Sequence, residues 1–325
     1  MNTSRRRFVK STGVLGLASV LYGSSAFSFN SGKRIGIVGL DSSHAIAFTK
    51  ELNASQSDKR YKGYYVTAAY PFGNPKIPLN GKRIPVFTEE IEKLGVKIAG
   101  NLTELLRQVD VVLLETNDGN LHLEQARIIM KAGKPVFIDK PIANSYKDAL
   151  SIFSLAEQYQ TPVFSTSSLR YIQGLQDIDK KTVLGADVFS PAYVEPSHKD
   201  LYWYGIHGVE MLVALLGPDC ISVQTTHTED FDIYVGKWSD GRIGTLRGTR
   251  KGTDDFGGTV FTDSKKITLG AYQGYAPLLK EIVDFFESGK PPVKKEETLA
   301  VCRFIDAAFE SKLKNGETAF LQQGP

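Results

Sequence analysis

Two residues in this 325-residue chain are typed and placed for proton chemistry. Lys140 lies in Asp139-Lys140-Pro141, directly after Pro135 to Ile138, an apolar run that reads as a strand. A lysine at a strand end can point its ammonium into a ligand crevice; the bland reading is a solvated surface lysine. His207 stands in Gly205-Ile206-His207-Gly208, at the start of a helical pattern. Its imidazole titrates near neutrality and suits general acid–base work, although a histidine there can also cap or pack the helix. Just upstream, His198, Trp203 and Tyr204 offer aromatic faces for sugar C–H surfaces and polar groups for hydroxyls. An ordinary loop with buried aromatics explains them nearly as well. The five histidines and two cysteines lack spacings such as H-x-x-x-H or C-x-x-C, so no metal site is expected. Ser42, Ser43 and Ser197 lack the context of a nucleophilic serine. Cys220 and Cys302 allow one disulfide in an oxidising compartment, but free, buried thiols are favoured, since a chain of this size builds a core without staples.

The elements that must position these groups read as α/β. Lys33–Leu40, Tyr64–Tyr70, Val96–Ile98, Asp110–Glu115, Pro135–Ile138 and Pro162–Ser165 are short apolar runs expected as strands. Helical patterns separate most of them: Ala45–Leu52, Glu89–Leu94, a helix capped by Thr103, Leu121–Lys131, and one opened by Ser145. Lys76–Val86, rich in Pro, Gly and Lys, reads as a loop. Such alternation implies a doubly wound, mostly parallel sheet of Rossmann type over residues 33–168, binding ligands at the strand ends. Beyond residue 169 come a helix, Gly208–Leu216, and five clustered strands. Two amphipathic helices, Ala276–Phe286 and Glu296–Leu313, close the chain. This is an α+β domain with a mixed, largely antiparallel sheet.

Composition removes other functions. The chain carries 39 basic and 36 acidic residues. Four of the basic ones, Arg5, Arg6, Arg7 and Lys10, fall in residues 1–26, which hold no acid. An apolar stretch and the small residues Ser24-Ser25-Ala26 follow, the pattern of a removable signal peptide. Ser4–Lys10 resembles the twin-arginine export motif, implying a periplasmic or extracytoplasmic location. Without that segment, 35 basic residues face 36 acidic ones. No electrostatic basis for nucleic-acid binding remains, and no stable membrane span is expected.

Thr116-Asn117-Asp118-Gly119-Asn120-Leu121-His122, then Ala132-Gly133-Lys134-Pro135-Val136, then Asp139-Lys140-Pro141 resembles the glucose–fructose oxidoreductase, inositol dehydrogenase and MocA (Gfo/Idh/MocA) family. Gly205–Glu210 is similar to that family's G-x-H-x-x-D segment. The resemblance implies an oxidoreductase using NAD or NADP on a sugar or polyol, assembled as a dimer or tetramer. It implies a Lys140/His207 pair handling the proton while hydride leaves for the nicotinamide. Thr116, Asn117, Asp139 and Lys140 would face the cofactor. Arg170 and Tyr171, where the chain crosses between halves, would join His198, Trp203 and Tyr204 around the substrate, or else pair structurally.

One segment departs from the family. Its members carry G-x-G-x-x-G after the first strand; here stands Gly39-Leu40-Asp41-Ser42-Ser43-His44. Asp41 adds bulk and charge where a pyrophosphate is expected, and His44 replaces the third glycine. The acid that would bind a ribose hydroxyl is missing after the second strand, at Tyr70-Pro71-Phe72-Gly73, and no arginine adjoins it. Either phosphate binds in an altered pose on Ser42, Ser43 and the helix end, or dinucleotide binding is lost. The second case leaves a non-redox lyase or hydrolase, or a carbohydrate-binding protein, on the same scaffold.

Overall fold

A computed structural model describes residues 33–54 and 59–321. The expected export segment lies outside the described residues. Six strands form the first sheet: β1 (Arg34–Val38), β2 (Tyr65–Tyr70), β3 (Lys97–Ile98), β4 (Val111–Leu114), β5 (Val136–Ile138) and β6 (Val163–Phe164). All are parallel, in the order β3-β2-β1-β4-β5-β6. Helices α1 (Ser43–Ala54), α2 (Pro78–Lys93), α3 (Leu102–Gln108), α4 (Gly119–Lys131) and α5 (Tyr146–Gln158) connect them. Covering both faces is why β4 and β5 are apolar at every position and wholly buried. The strand order reverses between β1 and β4, so the crevice above these strands is the ligand position of such sheets.

The second sheet has seven strands: β7 (Val183–Pro191), β8 (Cys220–His227), β9 (Phe231–Trp238), β10 (Ile243–Thr249), β11 (Gly257–Thr262), β12 (Lys266–Leu269) and β13 (Ala319–Phe320). Their order is β12-β11-β7-β10-β9-β8-β13, antiparallel except for the parallel β7–β10 pair. Helix α6 (Ile206–Leu216), buried at every residue, lies against β7 and β10. Helices α7 (Ala276–Ser288) and α8 (Lys295–Leu313) complete the chain. One apolar cluster runs from Leu114 and Ile138 of the first sheet through α6 to Leu246 and Trp238 of the second.

Three local readings are corrected. The segment 76–86 is not a loop: α2 runs from Pro78 through Gly81 and Pro85. Proline suits a first helical turn, but inside a helix it costs about 3 kcal/mol. Tertiary contacts outweigh this, since Asn80 is buried and hydrogen-bonds across to Asp41 and Asn117. The cap of α3 is Asn101, whose side chain accepts from the Glu104 N–H, rather than Thr103. Strand β7 was not anticipated, because Gly185, Ala186, Asp187 and Ser190 dilute its apolar alternation. It nevertheless sits near the middle of its sheet. Cys220 and Cys302 are both free and buried.

Candidate active site

A cleft of about 390 Å³ opens where the C-terminal ends of the first sheet meet residues of the second half. Its floor and one wall carry Ser42, Ser43, His44, Asn117 and Lys140. The other wall carries His207 and six aromatic residues: Tyr193, Trp203, Tyr204, Phe256, Tyr272 and Tyr275. Leu79 and Arg83 of α2 reach its rim. The topology thus brings Lys140 and His207, 67 positions apart, to one cavity.

Gly39 turns the chain out of β1 at φ +98°, and a Cβ there would lie 2.4 Å from the Thr116 backbone nitrogen. Only glycine allows that approach. Asp41 does not project into the cleft as its position suggested. Its carboxylate is buried, accepting from the Asn117 N–H (3.0 Å) and the Asn80 amide (3.0 Å). Gly73 makes room, since a Cβ there would meet Asp41 Oδ2 at 2.5 Å. Burial pushes the Asp41 carboxyl up to about 7 despite the Asn117 N–H bond. Ser42 Oγ accepts from the His44 N–H at 3.2 Å.

His44 Nδ1 lies 2.8 Å from Asp139 Oδ2. Burial pushes Asp139 up, but His44 and Lys140 outweigh it and hold the carboxyl below its ordinary range. Asp139 is buried beneath the cleft rather than on its wall. The ammonium of Lys140 lies 6.0 Å from the centroid of the Tyr204 ring. Its peptide bond to Pro141 is cis. Thr116 also turns away from the cleft, its hydroxyl accepting from Gln125 at 3.1 Å. His122 ties the β4 and β5 loops together, its ring nitrogens 2.7 Å from Thr116 O and 2.9 Å from Pro141 O.

The His207 Nδ1 is 2.6 Å from Ser167 Oγ, and the ring meets Tyr204 and Phe256 edge-on. A hydroxyl can donate or accept, so Ser167 supports either imidazole tautomer. Burial, reinforced by the Lys140 charge, holds His207 well below the usual histidine range, hence neutral.

Three expected substrate residues lie elsewhere. Arg170 is buried and ion-paired with Glu210 (3.0 Å) and Glu297, which takes its guanidinium out of the cleft. Tyr171 packs against the apolar cluster containing Phe137 and Phe164. His198 is buried under Trp203, 3.7 Å from Asp118 Oδ1, and burial lowers its pKa to about 4. Trp203 and Tyr204 do line the cleft. Sequence reasoning missed Arg83, hidden in the segment taken for a loop. It also missed Glu115, which closes β4 and has no exposed surface. A charged residue ending an apolar parallel strand is the signal that marks Glu115.

Residues 33–167 match the sequence model of the GFO_IDH_MocA family. That model describes an oxidoreductase family with an NAD-binding Rossmann fold. An uncharacterized oxidoreductase of Streptococcus pneumoniae serotype 4 is 33% identical over 86 residues, 26% of this chain and 23% of the relative. The alignment therefore spans about a quarter of that relative's length. A probable dehydrogenase from Thermotoga maritima superposes with TM-score 0.72 at 19% identity, covering 89% of this chain and 98% of that one. Myo-inositol dehydrogenase from Lactobacillus casei, solved with NAD(H) and myo-inositol, gives 0.71 at 16% identity, covering 90% and 97%. Scyllo-inositol dehydrogenase from the same organism, solved with NAD(H) and scyllo-inositol, gives 0.72 at 13%, covering 90% and 99%. The family match covers residues 33–167, less than half of the chain, and these superpositions, all under 25% identity, show a shared fold. The residues present suit an anionic dinucleotide: among the described residues no carboxylate lines the cleft, while Arg83, Lys140 and the α1 N-terminus do.

Proposed function

We propose that this chain is an exported NAD(P)-dependent oxidoreductase acting on a sugar, polyol or sugar derivative, with Lys140 and His207 as its proton-handling pair. The observation that carries the reading is that these two groups share one aromatic-walled cleft at the switch point of a Rossmann sheet. Ser42, Ser43, His44 and Asn117 would hold the dinucleotide, with Arg83 against a phosphate. When bound, the nicotinamide supplies the hydride acceptor. The Lys140 ammonium holds the substrate hydroxyl oxygen and favours its deprotonated form. Neutral His207 takes the proton, because burial beside Lys140 keeps its base form populated at neutral pH. Trp203 and Tyr204 stack on the sugar's C–H faces. Phe189, Phe231, Ile243 and Phe261 share one face of the second sheet and are partly exposed, which supports assembly of copies through that face.

Purified protein lacking residues 1–26 is expected to show a thermal shift with NAD(H) or NADP(H) and to oxidise a polyol or sugar. Lys140→Ala is expected to lower kcat by about 10²–10⁴-fold with the fold intact. His207 acts as a base above its depressed pKa, so kcat/KM should fall only on a limb below the ordinary histidine range. An acid limb that persists unchanged in His207→Ala would remove the histidine from this role. Arg83→Ala should weaken dinucleotide binding by about 1.5–3 kcal/mol, read as KM or Kd for the cofactor. The non-redox reading draws on Asp41, Asn80 and Asn117 being hydrogen-bonded together beside the cleft. Sugar binding without any dinucleotide shift would favour it.

A further inference from the structure

We propose that His44, Glu115 and Asp139 bind a divalent metal ion just beneath the cleft. One ligand atom from each, the imidazole nitrogen and two carboxylate oxygens, lies within 4.8 Å of the others. The three residues follow or end β1, β4 and β5, neighbouring strands in the sheet, so the backbone itself holds them together. Glu115 is the decisive member. It has no exposed surface, and neither carboxylate oxygen has a hydrogen-bond partner among the described residues. A buried carboxylate without donors is strongly unfavourable unless a cation or a proton occupies it. The groups acting on it are the carboxyls of Asp139 and Asp41 and the ammonium of Lys140. With both ionised, the Glu115 and Asp139 carboxylates balance the two charges of a divalent ion.

The geometry suits an ion as well as the charge does. His44 Nδ1 and Asp139 Oδ2 are 2.8 Å apart, near the ~3 Å that separates adjacent ligands bound at about 2.1 Å. The His44 ring is held in place between Phe48, 5.6 Å away, and Tyr275, 4.8 Å away. His44 also lines the cleft, which gives an ion a route to the three ligands. One imidazole with two carboxylates favours Mn²⁺, Fe²⁺, Co²⁺ or Zn²⁺ over the all-oxygen preference of Ca²⁺. The inference does not depend on the dinucleotide or on any substrate.

The test is metal content and affinity. Protein purified without chelator is analysed for metals, then stripped with EDTA and titrated with MnCl₂ (read by electron paramagnetic resonance) and ZnCl₂ (read by thermal melting). The expected result is about one ion per chain and a raised Tm. Glu115→Gln and His44→Ala should each weaken binding by more than about tenfold. If stripped wild type takes up neither ion at millimolar concentration, or Glu115→Gln binds as tightly as wild type, the site is a protonated carboxyl and the proposal fails. Should Glu115→Gln not fold, His44→Ala decides, since its ring is partly exposed.

Discussion

Asp232 and Glu115 are both carboxylates without exposed surface, and their surroundings treat them in opposite ways. Asp232, on β9, accepts from Arg250 at 2.7 and 3.1 Å and from the Tyr234 hydroxyl at 2.7 Å. It also contacts His227, and Lys312 lies 3.5 Å away. Burial pushes it up, but Arg250, His227 and Tyr234 outweigh that and bring its pKa to about 2. Glu115, at the end of β4, has no such partner among the described residues; burial and then the Asp139 charge drive its pKa well above the usual range. The lesson is one of allocation. In the second sheet charge is spent on fastening strands together, whereas beneath the cleft it is left available for something that binds.

This contrast can be broken most forcefully at Asp232. Asp232→Ala takes from Arg250 its carboxylate partner, leaving it only the Glu229 and Thr228 carbonyls, while Lys312 keeps Asp200; the expected cost is about 3 kcal/mol in chemical unfolding. A loss below that of an ordinary surface substitution would mean the network is decorative. Glu115→Leu should do the reverse in EDTA-treated protein, raising stability by about 1–3 kcal/mol because an unpartnered polar group leaves the core. A destabilised variant would show that Glu115 has a partner after all. The smallest effect belongs to His227→Ala. Its ring is 46% exposed, so solvent competes with its bond to Asp232. The expected cost is within about 1 kcal/mol, measured as a shift in denaturant midpoint.

The contrast also explains what a linear reading could reach. Strands β1, β4 and β5 were legible because burial on both faces demands uninterrupted apolar runs. Lys140 and His207 were legible because each sits in a short motif. The His44–Asp139 contact joins residues 95 positions apart and Glu115 belongs to a third strand, so no local ligand spacing exists to be found. Arg83 was lost for a different reason: Pro85 and Gly81 are true helix breakers locally, and only Asn80's buried bonds reveal why the helix persists. The two readings of Arg170 could not be separated in sequence, because a buried guanidinium and a ligand-facing one look alike until Glu210 and Glu297 are seen beside it.

The apolar cluster that passes unbroken from Leu114 through α6 to Trp238 has a mechanical consequence. A hinge needs a plane across which few side chains interdigitate. Here α6, buried at all eleven positions, crosses that plane and carries His207 at its first turn. The two cleft walls are thereby held at fixed separation. A ligand therefore meets a lysine-to-histidine span that packing has already set.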